Sequence, residues 1–140
     1  MAELKQTEGS NGATEKPFVL VVDDNQDNVR LLCHILGARG FEVEPAYNGL
    51  EALAAIERRR PDVVLLDVMM PEMDGMEVLD RIKANPQHAH IPVILVTAKG
   101  QDNDLLAGYK FGADYYITKP FTSRQLLYGI SLVLGRESPD

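Results

Sequence analysis

The sequence predicts an α/β fold in which a parallel β-sheet is covered by helices on both faces. Short, uninterrupted apolar runs alternate along the chain with segments whose apolar residues recur at helical spacing. Strands buried on both faces read as such runs, because neither side of them meets water. Five strand-like runs alternate with five helical ones, which implies right-handed crossovers packing helices on both sides of the sheet. The length, 140 residues, allows one domain with a substantial core and not comfortably two.

The elements follow in order. Residues 1–16 carry Leu4 among polar residues and glycines. Such a segment cannot bury enough surface to offset its ordering entropy, so it reads as a disordered tail. Phe18–Val22 is a buried strand ending at Asp23-Asp24. Val29, Leu32, Cys33 and Leu36 keep helical spacing up to Gly40, a stop signal. Phe41–Ala46 is a short second strand. Leu50, Leu53, Ala54 and Glu57 belong to a second helix whose last turn holds Arg58, Arg59 and Arg60, with Pro61 stopping it. Val63–Leu66 is a buried strand ending at Asp67. Met76, Leu79 and Ile82 mark a helix between Gly75 and Pro86. Val93–Val96 is a strand ending at Thr97, and Leu105, Leu106 and Tyr109 mark a helix ending near Gly112. Tyr115-Tyr116-Ile117 is the last strand, ending at Lys119-Pro120. Leu126, Leu127, Ile130 and Val133 form the last helix, stopped by Gly135. The domain therefore spans 17–135, with a short tail at 136–140.

Composition narrows the function. Fourteen basic and 21 acidic residues give a net charge of −7, which argues against a broad electrostatic grip on nucleic acid. No apolar run is long enough to span a bilayer, and the start lacks the apolar stretch of a secretory signal. The single cysteine, Cys33, allows no internal disulfide. Together these point to the cytoplasm.

In a doubly wound sheet, ligands bind at the carboxyl ends of the strands. Those ends read Asp23-Asp24, Asp67, Thr97 and Lys119: three carboxylates, a hydroxyl and an ammonium at one edge. Each alone has a plainer reading. Asp23 or Asp24 could cap a helix, Asp67 could be a turn residue, Thr97 a cap and Lys119 a solvated charge. Four strands ending in this set argue for chemistry. Clustered carboxylates repel one another unless a cation intervenes, and hard oxygen ligands suit Mg²⁺. With Lys119, one Mg²⁺ cancels the charge of the three aspartates, and a neutral site can accept a phosphoryl group. The loop Asp23-Asp24-Asn25-Gln26-Asp27 has no glycine, unlike a phosphate-cradling loop, so no nucleotide or flavin is expected.

At these residues the chain resembles the response-regulator receiver family of two-component signalling. The resemblance covers about residues 17–135. It rests on VLVVDDN (19–25), VVLLDVMMPEMDG (63–75), PVILVTA (92–98) and GADYYITKPF (112–121), spaced 44 residues from Asp23 to Asp67, 30 to Thr97 and 22 to Lys119. It implies the flavodoxin-like strand order 2-1-3-4-5 with five helices. It implies that Asp67 is the phosphoacceptor, taking its phosphoryl group from a phosphohistidine. Mg²⁺ would be held by Asp24, Asp67 and the backbone carbonyl of Met69, and by Asp23 through water. Lys119 would pair with Asp67 and then with the phosphoryl oxygens, and Thr97 would donate its hydroxyl to them. Tyr116 would change rotamer as Thr97 moves, Ala98 would leave room for the phosphoryl group, and Lys119–Pro120 would be cis. The implied partners are a histidine kinase or histidine phosphotransfer protein, docking near Asp27–Leu36, and a downstream protein target. The protein would be a switch and at most a slow self-hydrolase. The few residues after Gly135 suggest a stand-alone regulator; a receiver cut from a longer protein, or a module that never becomes phosphorylated, are the alternatives. An aspartate-nucleophile phosphatase is disfavoured, because Asp23-Asp24-Asn25 lacks its nucleophile–acid spacing.

Other features have plainer explanations. Arg58–Arg60 fit a helix C-terminus, where the dipole favours cations. His88 and His90 are a weak metal signal, His34 reads as an exposed helix residue, and Cys33 as a core residue. Met69, Met70, Met73 and Met76 read as packing around the site loop. Met69 and Lys99 flank the expected position of an attacking water and could tune the lifetime of the phosphorylated state.

Overall fold

The computed structural model of the chain describes residues 16–98 and 112–135. The tails at 1–15 and 136–140, the helix expected around Leu105, Leu106 and Tyr109, and Lys99 lie outside the described residues. In chain order the elements are β1 (Phe18–Val22), α1 (Gln26–Ala38), β2 (Glu42–Ala46), α2 (Gly49–Arg58), β3 (Val63–Asp67), α3 (Gly75–Ala84), β4 (Val93–Ala98), β5 (Tyr115–Lys119) and α4 (Ser123–Leu134). All strands are parallel, in the order β2-β1-β3-β4-β5. Four helices, rather than the expected five, stand among the described residues. No described helix is long and apolar enough to cross a membrane.

The two-residue period of the strands divides the core. Leu20, Val22, Val64, Leu66, Val93 and Leu95 face α2 and α3, packing with Ala52, Ile56, Leu79 and Ile82. Val19, Val21, Val63, Leu65 and Ile94 face the other way, packing with Leu32, Leu36, Leu126 and Ile130 of α1 and α4. Both faces of the central strands are dry, which is why their sequences show no polar alternation.

Each described helix has its own start signal. The side chains of Asn25, Asn48, Asp74 and Thr122 accept the backbone N–H three residues on, satisfying one of the donors a helix leaves free. Thr122 and Gln125 complete a reciprocal capping box. Because Asn25 caps α1, Asp23 and Asp24 are left free for another task. At the other end of the chain α4 stops at Gly135, whose φ of 72° suits a residue without a Cβ.

Leu50, Leu53, Ala54 and Glu57 lie on α2, as the sequence predicts, and one expectation about the end of this helix needs correction. On α2 the buried residues are Gly49, Ala52, Ala55 and Ile56, whereas Leu50 is 67% exposed and Ala54 is exposed. At its start α2 lies close to α3 and the loop before it, where a Cβ on Gly49 would crowd Met73 and Val78. The helix ends at Arg58, with Arg59 extended. Arg58 pairs with Glu44 and Arg59 with Glu42, and the Arg59 guanidinium stacks on Phe18. The arginines therefore serve β2, more than a helix dipole. Cys33 is only partly buried, packed against the α1–α4 side of the core. His34 is exposed.

Lys83 on α3 binds the far end of the sheet together. Its Nζ donates to the carbonyls of Ala89 and Ile91, both at 2.9 Å, and reaches Asp114 at 3.5 Å. Asp114 in turn accepts the Val93 N–H at 2.8 Å. Removing one donor from partly buried acceptors leaves them unsatisfied. Lys83→Met is expected to lower the unfolding free energy by about 1–3 kcal/mol, read as a lower urea midpoint at unchanged slope.

Candidate functional site

The register of the sheet assembles the site. Val22 lies opposite Leu66, Asp67 opposite Val96, Thr97 opposite Thr118 and Ala98 opposite Lys119. The side chains expected at the strand ends thus share one edge. Asp23, one residue beyond β1, is 3% exposed; Asp67, the last residue of β3, is 6% exposed; and Asp24 stands open to solvent. One carboxylate oxygen from each of Asp23, Asp24 and Asp67 lies within 4.8 Å of the others.

Several contacts fix these groups. The Lys119 ammonium is 3.4 Å from Asp67 Oδ1 and 3.6 Å from Asp23 Oδ2, so one cation bridges two buried anions. Asp23 Oδ1 accepts the Asn25 N–H at 3.0 Å, and its Oδ2 accepts from Asn28 Nδ2 at 3.3 Å. The backbone around Asp67 is held by the Val68 N–H to the Val96 carbonyl and the Gly75 N–H to the Val68 carbonyl. A Cβ on Gly75 would sit 2.3 Å from the Asp67 carbonyl oxygen. Only glycine lets the start of α3 come so close to the strand that carries this carboxylate.

Thr97 is buried, and its hydroxyl donates to the Ala98 carbonyl at 2.9 Å. Tyr116 stands opposite Leu95, two residues before Thr97 on the neighbouring strand. Period-two alternation therefore turns Tyr116 and Thr97 to the same face, where Tyr116 packs against the α2–α3 side of the core. The Lys119–Pro120 peptide bond is cis. Of the methionines, Met70 is buried, Met73 and Met76 pack against the core, and Met69 is 60% exposed. His88 approaches Glu57 at 3.9 Å and lies apart from the carboxylates. Asn28 was not legible as a site residue: a polar residue in the first turn of a helix carries no signal that its amide turns back to a carboxylate.

The Asp67 carboxyl is raised to about 6: burial is the largest cause, the Asp23 charge and, less, Asp24 add to it, and Lys119 pulls it back. The cluster therefore resists carrying its full negative charge. A hard divalent cation relieves that repulsion, and three carboxylates converging beside one ammonium form a donor set that fits Mg²⁺.

The family model for the response regulator receiver domain matches residues 19–131. The chain is 39% identical over 121 residues to the phosphate regulon transcriptional regulatory protein PhoB of Pseudomonas aeruginosa, covering 86% of this chain and 53% of that protein. It is 48% identical over 102 residues to the response regulator PleD of Caulobacter vibrioides, covering 73% of this chain and 22% of that protein. It spans about half the length of PhoB and of the alkaline phosphatase synthesis transcriptional regulatory protein PhoP of Bacillus subtilis. Among solved structures, the chemotaxis protein CheY4 of Vibrio cholerae superposes with a TM-score of 0.81 at 33% identity, covering 85% of this chain and 99% of that one. The sheet order, the acidic edge and the extent of these matches agree: the chain belongs to the response-regulator receiver domain family of two-component systems.

Proposed function

We propose that the protein is a phosphoacceptor switch. Asp67 takes a phosphoryl group from a phosphohistidine on a histidine kinase or histidine phosphotransfer protein, and the modified surface then docks to a downstream protein. The observation that carries this reading is the buried Asp67 carboxylate, paired with Lys119 and clustered with Asp23 and Asp24 at the sheet edge. Asp23, Asp24 and Asp67 would hold Mg²⁺, with the Met69 carbonyl as a further oxygen. When bound, the ion supplies the charge neutralisation that phosphoryl transfer requires.

The chain's own groups account for the remainder. An Asp67 oxygen attacks phosphorus, a P–O bond replaces the P–N bond, and the departing imidazole takes up a proton. Lys119, already between the carboxylates, turns to the phosphoryl oxygens. The aspartyl phosphate adds about −2 charge and strong acceptors. The Thr97 hydroxyl exchanges the Ala98 carbonyl for one of them, and Tyr116 follows into the space that Thr97 leaves. A local charge event is thereby coupled to the surface of β5 and α4. The protein needs no turnover beyond this transfer and slow self-hydrolysis. Exposed Met69 offers a water no hydrogen bond as good as an amide would, which favours a slow hydrolysis.

The test is intact mass after incubation with acetyl phosphate and Mg²⁺. The wild type is expected to gain one phosphoryl group, and Asp67→Ala none. A wild type that gains nothing overturns the proposal in favour of a module that binds without phosphorylation.

The raised Asp67 carboxyl also predicts how stability changes with pH. Its folded value, about 6, lies above its ordinary value of 3.8, so the folded state holds this proton more tightly. The stabilisation is complete below about pH 4 and is lost as pH rises through about 6. In metal-free protein, Tm is therefore expected to fall over that window more steeply in wild type than in Asp67→Asn, and Mg²⁺ added above pH 6 is expected to raise the wild-type Tm. Equal slopes for the two proteins would refute the account.

A further inference from the structure

We propose that Asn28 is a positioning residue that aims Asp23 into the cation site. The inference rests on the divalent-cation reading above. A carboxylate only accepts hydrogen bonds, so the amide must turn its nitrogen to Asp23, and Nδ2 lies 3.3 Å from Oδ2. Among the described residues Asp23 then meets two hydrogen-bond donors, the Asn25 N–H at 3.0 Å on Oδ1 and Asn28 on Oδ2, and one cation, the Lys119 ammonium at 3.6 Å from Oδ2. The lysine is shared with Asp67. Once Lys119 turns to a phosphoryl group, Asn28 is the side-chain donor left on Oδ2. Its work is to keep the buried carboxylate from rotating or drawing back when the lysine leaves.

Asn28 can do this because the helix does not need its side chain. The cap of α1 runs from Asn25 Oδ1 to the Asn28 backbone N–H, at 3.0 Å, a contact any residue keeps. Alanine forms helix more readily than asparagine, so Asn28→Ala removes the amide and preserves the fold. Outer-shell partners of metal-ligating carboxylates typically change metal affinity about 10–100-fold when removed.

The experiment is calorimetric titration of MgCl₂ into the full metal-free chain, as wild type, Asn28→Ala, Asn28→Gln and Asp24→Asn. A parallel melt of each metal-free protein accompanies it. Asn28→Ala is expected to raise the Mg²⁺ Kd about tenfold or more while its metal-free melt stays cooperative, lowered only as far as the loss of one hydrogen bond requires. Asn28→Gln, which keeps an amide on a longer arm, is expected to recover part of the affinity. A wild-type Kd in Asn28→Ala, together with lost binding in Asp24→Asn, overturns the role of Asn28 and leaves the cation site standing. Absence of Mg²⁺ binding in the wild type itself overturns the cation reading, and this inference with it. Loss of a cooperative melt in metal-free Asn28→Ala, or Ala and Gln variants equally weakened, also overturns it, because the loss then belongs to packing and not to the donated hydrogen bond.

Discussion

Parallel pairing in register is the constraint on which the site depends. Antiparallel strands would send alternate ends to opposite edges, whereas here every strand delivers its carboxyl end to the same one. The edge then gathers charges that no isolated segment would tolerate together. Asp23 and Asp67 are buried, and a buried carboxylate without a partner is costly. Lys119, arriving from the far strand, stands between them and offsets part of that cost. The apolar core beneath supplies the rigidity that holds the like charges close. Fold and site are therefore one problem: the packing that stabilises the sheet also keeps its acidic edge poised.

That dependence explains why so much was legible in the sequence. Strands such as Val63–Leu66 are dry on both faces and show it as unbroken apolar runs. Once the strands are placed, their ends identify the candidate groups without knowledge of any side-chain contact. The caps at Asn48, Asp74 and Thr122 are local, each set by residues three apart, but they emerged only with the structure.

What escaped reading depends on distance in space. Arg59 looked like a helix-terminal charge, and its actual neighbours, Glu42 and Phe18, come from other elements. Lys83 drew no reading from the sequence, yet its side chain turns inward to backbone carbonyls of the next loop. Asn28 reads as filler in a first helical turn. In each case the partner is named only by tertiary structure.

The arginine pairs along β2 have a consequence of another kind. Among the described residues that strand is an edge of the sheet, with no strand paired to its outer side, and such edges invite a second chain to add itself. Here Pro45 withholds a donor, and Glu42 and Glu44 lie under Arg59 and Arg58. A foreign strand would have to displace two ion pairs and then meet a gap in the hydrogen-bonding ladder. Pro45 and these ion pairs thus make the β2 edge a poor template for a second chain.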